Sequence, residues 1–214
     1  MATVIMVIGG SRSGKSKFAE QLAIEHAADR GQEKLYYIAT GVVTDEEFAE
    51  RIECHRNNRD QRWVTIEEPY QLADAIKEDA GVYLVDGIGT WVTNIMYRLG
   101  QVQAIGSIES IERRQASEYS FEQTQVIERS FTWDKQRERQ CLTIIEQFSQ
   151  ACRDAKGTVI LVADEVGMDV VPAYKESRVF RDLNGYANQI LAAAADQVHL
   201  VVCGIPIVIK ARVE

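Results

Sequence analysis

The sequence lacks any long apolar run and any paired arrangement of cysteines, and each absence argues against a class of protein. No apolar stretch approaches the roughly 18 residues of a membrane-spanning helix, and residues 1–3 carry neither a charged segment nor a secretory cleavage site. The four cysteines are Cys54, Cys141, Cys152 and Cys203. Because no two of them form a C-x-x-C pair, neither a zinc site nor a disulfide framework is indicated. We therefore expect a cytoplasmic protein with reduced thiols and no membrane span.

Positive charge is also scarce, although the composition is otherwise ordinary for a globular protein. The 214 residues include 24 lysines and arginines against 32 aspartates and glutamates, which gives a formal net charge of −8. Proteins that wrap nucleic acid depend on clustered Lys and Arg, so this balance argues against a nucleic-acid partner. An apolar fraction of 46% can bury the core of one α/β domain, and we expect a single domain over residues 1–214.

The clearest motif spans residues 9–16 and directly follows an apolar run at residues 4–8. It fits the G-x-x-x-x-G-K-[ST] pattern of a phosphate-binding loop, which lies between a buried strand and a helix. The amides at the start of that helix are expected to face phosphate oxygens. Lys15 is expected at the β- and γ-phosphates and Ser16 on Mg²⁺. The candidate nucleotide ligands of this loop are Gly9, Gly10, Ser11, Arg12, Ser13, Gly14, Lys15 and Ser16.

Apolar runs and amphipathic stretches alternate along the rest of the chain. They predict strands at 4–8, 34–39, 63–66, 82–85, 158–163, 198–203 and 207–210, and helices at 45–55, 70–80, 91–99, 139–155 and 177–195. This repeated βα order predicts an α/β P-loop fold with a mostly parallel sheet flanked by helices. The short link through residues 204–206 predicts that the last two strands form an antiparallel hairpin.

Two predicted strands end in residues that suit a ligand site, because ligands of open α/β sheets bind beyond the carboxyl ends of the strands. Ala39, Thr40 and Gly41 close the strand at 34–39 and are expected near the phosphate loop. Asp86 follows the strand at 82–85 and matches the Walker B acid that holds Mg²⁺ together with Ser16. The alternative for Asp86 is an aspartate that only begins a turn.

Residues 101–140 are polar, with seven acidic and six basic side chains that nearly cancel. We expect an exposed helical insertion here. Its weak apolar periodicity is also compatible with a mobile lid or a subunit contact, and the sequence leaves these alternatives open.

Further blocks, in a fixed order along nearly the whole chain, resemble one family. The blocks are the phosphate loop, residues 37–40, Arg51 and Ile52, His55, Arg59, Trp63, Glu67, residues 91–94, 165–167, Val171 and Pro172, residues 180–182, Asn188 and Gln189, and residues 191–196. They resemble the bifunctional adenosylcobinamide kinase / adenosylcobinamide-phosphate guanylyltransferase family of cobalamin biosynthesis.

The resemblance implies a RecA-like P-loop enzyme with two activities. Such an enzyme phosphorylates adenosylcobinamide with ATP or GTP, and then transfers GMP from GTP to the product through a guanylylated histidine, which gives adenosylcobinamide-GDP. His55 matches that histidine, and a neutral imidazole is a suitable nucleophile. The other two histidines, His26 and His199, are better explained as structural. The resemblance also implies a homo-oligomer, with a trimer suggested.

The resemblance further assigns residues to the guanine and ribose of the nucleotide. These are Ala39, Thr40, Gly41, Arg56, Asn57, Asn58, Arg59, Glu67 and Asp86. A carboxylate at Glu67 can accept two hydrogen bonds from guanine N1–H and its 2-amino group, a pair that adenine does not offer. Without the resemblance, Glu67 would be taken as an ordinary exposed glutamate.

The sequence departs from the family pattern in three places. Cys54 stands where the family often has a second histidine, Asp164 replaces a usual asparagine, and the segment at 101–140 is longer than typical. Two other functions stay open at this stage. A P-loop small-molecule kinase would have no use for His55, and a nucleotide-switched interaction module would use residues 101–140 as its partner surface. A RecA-type DNA motor is disfavoured by the acidic balance.

Overall fold

The computed structural model describes residues 2–31, 34–42, 62–76, 79–100 and 131–211. Within those ranges the chain forms seven strands and five helices. The strands are β1 (Thr3–Gly9), β2 (Leu35–Ala39), β3 (Trp63–Glu67), β4 (Val82–Asp86), β5 (Thr158–Asp164), β6 (Gln197–Val202) and β7 (Ile205–Lys210), and the helices are α1 (Lys15–Arg30), α2 (Leu72–Ala75), α3 (Ile88–Gly100), α4 (Lys135–Asp154) and α5 (Lys175–Ala194). The predicted helix at 45–55 and residues 101–130 of the predicted insertion lie outside the described residues.

All seven strands form one sheet in the order β3-β2-β4-β5-β1-β6-β7. Strands β1 to β6 pair in parallel, and β7 pairs with β6 in the antiparallel direction. The register places Gly9 beside Asp164, and places Ala39 beside both Asp86 and Glu67. The expected mostly parallel α/β sheet with flanking helices and a C-terminal antiparallel hairpin is therefore confirmed, and its carboxyl strand ends meet at one edge of the sheet.

Alternate residues of the central strand β1 face opposite sides of the sheet, as the period of a strand requires. Ile5 and Val7 pack with Ala19 and Ala23 of α1 on one side. Val4, Met6 and Ile8 pack on the other side, in a larger core that includes buried residues of α3, α4 and α5. Burial on both faces explains why these parallel strands are continuous apolar runs.

Two predicted helices differ from the structure by more than three residues at one end. Of the helix expected at 70–80, the described residues form only the single turn α2, because the backbone at Ile76 is extended, with φ −79° and ψ 103°. The helix expected from Arg139 begins at Lys135, because Asp134 caps it by accepting hydrogen bonds from the amides of Gln136 and Arg137. Residues 135–140, which the sequence had assigned to the insertion, thus belong to α4.

The C-terminal hairpin turn begins one residue earlier, and ends two residues earlier, than expected. Its turn consists of Cys203 and Gly204, with φ values of 53° and 80°, rather than of residues 204–206. Positive φ at both central residues suits the right-handed twist of the flanking strands. Pro206 then falls within β7, opposite Val201, where an edge strand tolerates the missing amide hydrogen. Among the helices in the described ranges, none is long and apolar enough to cross a bilayer.

Candidate active site

The phosphate loop joins β1 to α1 at the carboxyl edge of the sheet. The amide of Ser13 donates to Gly10 O at 3.2 Å, which closes the loop, and Gly14 precedes the helix with a φ of 93°. Because Gly14 has no side chain, it cannot cap the first amides of α1. Those amides and the positive end of the helix dipole are available to an anion.

The hairpin turn between β6 and β7 supports the phosphate loop from the outside. The amide of Gly204 donates to Ser13 O at 2.7 Å. A Cβ atom built on Gly14 would lie 3.2 Å from Gly204 Cα, and one built on Gly9 would lie 2.6 Å from both Ser13 Oγ and Val201 O. Both glycines are therefore favoured by close packing, and Gly14 also by its positive φ. The sequence analysis missed the role of Gly204, since nothing local links it to the loop.

Lys15 is paired with an acid at the end of the neighbouring strand. Its Nζ lies 2.7 Å from Asp164 Oδ1 and also donates to Gly10 O at 3.3 Å. The backbone carbonyl of Asp164 accepts hydrogen bonds from the side-chain amides of Asn184 at 2.7 Å and Asn188 at 3.0 Å. Both asparagines are buried in α5, so the helix fixes the end of β5 beside the loop.

Ser16 and Asp86, the two residues predicted to hold Mg²⁺, are in direct contact. Ser16 Oγ donates to Asp86 Oδ1 at 3.3 Å, and the hydroxyl of Tyr37 donates to Asp86 Oδ2. The sequence analysis missed this contact of Tyr37, although strand alternation puts Tyr37 on the same face as Ala39, the neighbour of Asp86.

Hydroxyl and carboxylate oxygens are the ligands that Mg²⁺ prefers, so Ser16 and Asp86 fit this metal. In the described part of the chain no three His, Cys, Asp or Glu side chains cluster as a metal cage. Mg²⁺ is usually held by one or two carboxylates together with substrate phosphates, so Ser16 and Asp86 suit a site that a bound nucleotide completes.

The residues after β2 lie along the same edge but not against the phosphate loop. Strands β4 and β5 separate β2 from β1, which corresponds to roughly 14 Å at about 4.8 Å per strand. Thr40 is buried, and its hydroxyl donates to Gly87 O at 2.8 Å, while its carbonyl accepts from Asn94 Nδ2 at 2.8 Å. The Thr40 side chain therefore holds the turn after Asp86. Ala39 and Gly41 are partly exposed beside it.

The guanine-reading candidate Glu67 ends β3 at the same edge. It is exposed, and it pairs in register with Ala39. The next residue, Glu68, donates its amide to Ala39 O at 3.0 Å, so β2 and β3 stay together to their ends. Glu67 therefore lies at the carboxyl edge of the sheet, on the outermost strand, four strands away from β1 and its phosphate loop.

His55 and the four candidate residues that follow it lie outside the described residues. These four are Arg56, Asn57, Asn58 and Arg59. Of the other histidines, His199 is buried in β6, with its ring edge-on to Phe18 at 5.3 Å between centres. Burial and the nearby His26 lower the pKa of His199. Its position agrees with the structural role expected from the sequence.

Comparison with known proteins points to one family along the whole chain. A family model described as cobinamide kinase / cobinamide phosphate guanyltransferase matches residues 5–209. The chain is 37% identical over 211 residues to the bifunctional adenosylcobalamin biosynthesis protein CobU of Escherichia coli (strain K12), covering 97% of this chain and 99% of that protein. It is 38% identical over 213 residues to the protein of the same name from Salmonella typhimurium, again covering 97% of this chain and 99% of the relative.

A solved structure gives a much looser likeness. The flagellar accessory protein FlaH from Methanocaldococcus jannaschii is 13% identical, with a TM-score of 0.41 and coverage of 98% of this chain and 79% of that chain.

Proposed function

The chain belongs to the cobinamide kinase / cobinamide phosphate guanyltransferase family, and from this membership we propose how one edge of its sheet serves two reactions. In the first, adenosylcobinamide is phosphorylated with ATP or GTP as the donor. In the second, GMP passes from GTP to the corrinoid phosphate, giving adenosylcobinamide-GDP. The observation that carries the proposal is the juxtaposition of Lys15 with the Ser16–Asp86 pair at the carboxyl edge.

For the kinase step, the phosphate loop binds the triphosphate and Lys15 stabilises charge on the transferred group. The corrinoid hydroxyl oxygen forms a bond to the γ-phosphorus, the bond to the bridging oxygen breaks, and the hydroxyl proton is released. Ser16 and Asp86 would hold Mg²⁺, which when bound supplies positive charge to the β- and γ-phosphates. The support for these roles is the uncapped start of α1 and the direct contact between Ser16 and Asp86.

For the guanylyl step, His55 attacks the α-phosphorus of GTP and pyrophosphate leaves. The corrinoid phosphate then attacks the phosphoramidate and takes over the GMP. Glu67 reads the guanine edge, and Ala39, Thr40 and Gly41, with Arg56 to Arg59, surround the nucleoside. This separation of the phosphate-binding residues from the guanine-reading residue is supported by the sheet, in which the phosphate loop and the exposed end of β3 lie four strand spacings apart on one edge.

We also propose that the protein is a homo-oligomer, with the trimer implied by the resemblance as the specific state. Its support is an exposed apolar surface on the edge hairpin. The exposed apolar side chains of this surface are Val202, Ile205, Ile207, Val208 and Ile209. Light scattering coupled to size-exclusion chromatography tests the state, and a single monomeric peak at micromolar concentration would contradict it.

One experiment separates the proposed function from its alternatives. The protein is incubated with adenosylcobinamide and either γ-labelled ATP or α-labelled GTP, and both protein and corrinoid are analysed. We expect label from γ-labelled ATP in the corrinoid, and label from α-labelled GTP in the protein and then in the corrinoid. Transfer from ATP alone would indicate a small-molecule kinase without guanylyltransferase activity. Absence of any transfer would favour a nucleotide-switched interaction module.

A further inference from the structure

The hydroxyl of Tyr37 contacts the acid of the proposed metal site. Tyr37 lies on β2 and is only 2% exposed, and its hydroxyl donates to Asp86 Oδ2. The other oxygen, Asp86 Oδ1, accepts from Ser16 Oγ at 3.3 Å. The two carboxylate oxygens of Asp86 therefore have different hydroxyl partners, one from the sheet and one from the start of α1.

The position of the Tyr37 hydroxyl is set by rigid elements. Tyr37 lies opposite Leu84 on the neighbouring strand β4, and both belong to the core beneath α1. Two residues further along β4, Asp86 points to the same side, where α1 carries Ser16 in its first turn. The Tyr37 ring also packs edge-on against Trp63, with 5.8 Å between the ring centres.

The orientation of Asp86 matters because of the metal it is proposed to hold. Mg²⁺ demands near-ideal octahedral geometry, so a carboxylate that rotates freely is a poorer partner than one that is fixed. Groups that hydrogen-bond to metal-binding side chains commonly change metal affinity by about 10- to 100-fold. A phenol on the oxygen remote from Ser16 removes the rotational freedom of the carboxylate.

We propose that Tyr37 is a positioning residue for the metal site, holding the Asp86 carboxylate so that Oδ1 stays beside Ser16. This inference rests on the proposed role of Ser16 and Asp86 in binding Mg²⁺. The competing explanation is that Asp86 merely satisfies a buried tyrosine hydroxyl, which usually has a hydrogen-bond partner. The two explanations differ in metal affinity, because only positioning links the hydroxyl to the metal.

The variant Tyr37→Phe removes the hydroxyl and keeps the ring that packs on Trp63. The probe is Mn²⁺, whose binding is followed by electron paramagnetic resonance in the presence of a non-hydrolysable GTP analogue. We expect the Mn²⁺ dissociation constant to rise about tenfold or more. Binding of the analogue in EDTA should stay within about twofold of the unaltered protein, since the hydroxyl that is removed donates to the Asp86 carboxylate. Tyr37→Met provides a second variant without the hydroxyl if Tyr37→Phe unfolds.

Tyr36→Phe is a matched control on the same strand. Tyr36 is also buried, at 5% exposed, and its hydroxyl also donates to a carboxylate, Asp79 Oδ2 at 2.6 Å. Asp79 precedes β4 and therefore lies at the opposite edge of the sheet. We expect this variant to lose stability and to keep its Mn²⁺ affinity.

Asp86→Asn separates failure of this inference from failure of the proposed metal site. If Asp86→Asn weakens Mn²⁺ binding while Tyr37→Phe binds it as tightly as the unaltered protein, the role of Tyr37 is overturned and the metal site stands. An equal loss of Mn²⁺ affinity in Tyr37→Phe and Tyr36→Phe also overturns the role of Tyr37, because it indicates a general effect of reduced protein stability. If Asp86→Asn leaves Mn²⁺ binding unchanged, the metal site itself is wrong and the inference falls with it.

Discussion

Lys15 Nζ lies 2.7 Å from Asp164 Oδ1, so the lysine of the phosphate loop already has an anionic partner in the protein. The Lys15 side chain is 14% exposed and that of Asp164 is 34% exposed, which puts the pair at the boundary between core and solvent. A nucleotide phosphate bound as proposed would compete with Asp164 for the same ammonium group. An asparagine at this position would offer no such charge.

The first prediction is that Asp164→Asn tightens nucleotide binding. The substitution removes the competing charge and leaves the backbone carbonyl that Asn184 and Asn188 hold. A partly exposed ion pair contributes about 1 kcal/mol or less, so the dissociation constant of ATP measured by calorimetry without added metal should fall about two- to fivefold. Asp169→Asn, on the exposed loop after β5, serves as the control. Weaker binding by Asp164→Asn would show that the acid assists the nucleotide instead.

Lys15→Ala should abolish phosphoryl transfer without unfolding the protein. The ammonium acts on phosphate charge rather than on packing, and loss of one such electrostatic group lowers kcat by about 100- to 1000-fold. Steady-state kinase assays and circular dichroism give the two readouts. Lys17→Ala removes an exposed lysine two residues along α1 and should retain activity. A near-native rate in Lys15→Ala would refute the role given to the loop.

Glu67→Gln should impair GTP binding more than ATP binding. The amide replaces one of two acceptors facing guanine with a donor, and hydrogen bonds to a charged group contribute about 1.5–3 kcal/mol. Titration calorimetry should therefore show that the affinity for GTP falls about tenfold or more, whereas the affinity for ATP falls about twofold or less. Glu68→Gln changes the neighbouring acid, which bonds the amides of Tyr70 and Gln71, and should not discriminate between the bases. Equal losses for both nucleotides in Glu67→Gln would exclude base reading.

GTP should label His55 with GMP, and mass spectrometry should locate the adduct. We expect it to be acid-labile and sensitive to hydroxylamine, as a phosphoramidate is, and to be absent in His55→Ala. Phosphorylation with ATP should largely survive, because γ-phosphoryl transfer to a hydroxyl does not need this nucleophile. His26→Ala, on α1, is the matched control and should keep the adduct. An adduct on Lys15, or one retained in His55→Ala, would disprove the assignment.

Asp79, at the sheet edge opposite the active site, should make the free energy of unfolding depend on pH. Hydrogen bonds from Tyr36, Tyr83 and Lys34, in order of decreasing effect, lower the pKa of Asp79. Because the pKa of Asp79 is lower in the folded state, its carboxylate stabilises the fold at pH values above the unfolded-state pKa of about 3.9. This stabilisation is lost progressively as the pH falls from that value towards the folded-state pKa.

Asp79→Asn tests this dependence. Urea unfolding should show a loss of about 1–2 kcal/mol at pH 7, after allowance for partial exposure, and a smaller loss at about pH 3.5. A difference that stays constant between these pH values would count against the ionic contribution.

The main features of the fold follow from local patterns in the sequence. Continuous apolar runs such as residues 82–85 indicate strands buried on both faces, and the intervening helical stretches require parallel crossovers. The phosphate loop is equally local, because its glycines, Lys15 and Ser16 act within eight consecutive residues. The acid at Asp86 was predictable from its place at a strand end. Boundaries were less certain, since Asp134 starts α4 by a cap that the apolar periodicity does not report.

The contacts that complete the site were decided by the tertiary structure. Tyr37 and Asp86 are 49 residues apart in sequence and meet only because β2 and β4 become neighbours in the sheet. Lys15 meets Asp164 because β5 pairs with β1, and Gly204 reaches Ser13 because β6 pairs with the other side of β1. The identity of a side chain determines which hydrogen bonds and ion pairs it can form. The strand order determines which of these groups come within bonding distance of one another. That order results from packing the whole core, so no short segment of the sequence encodes it.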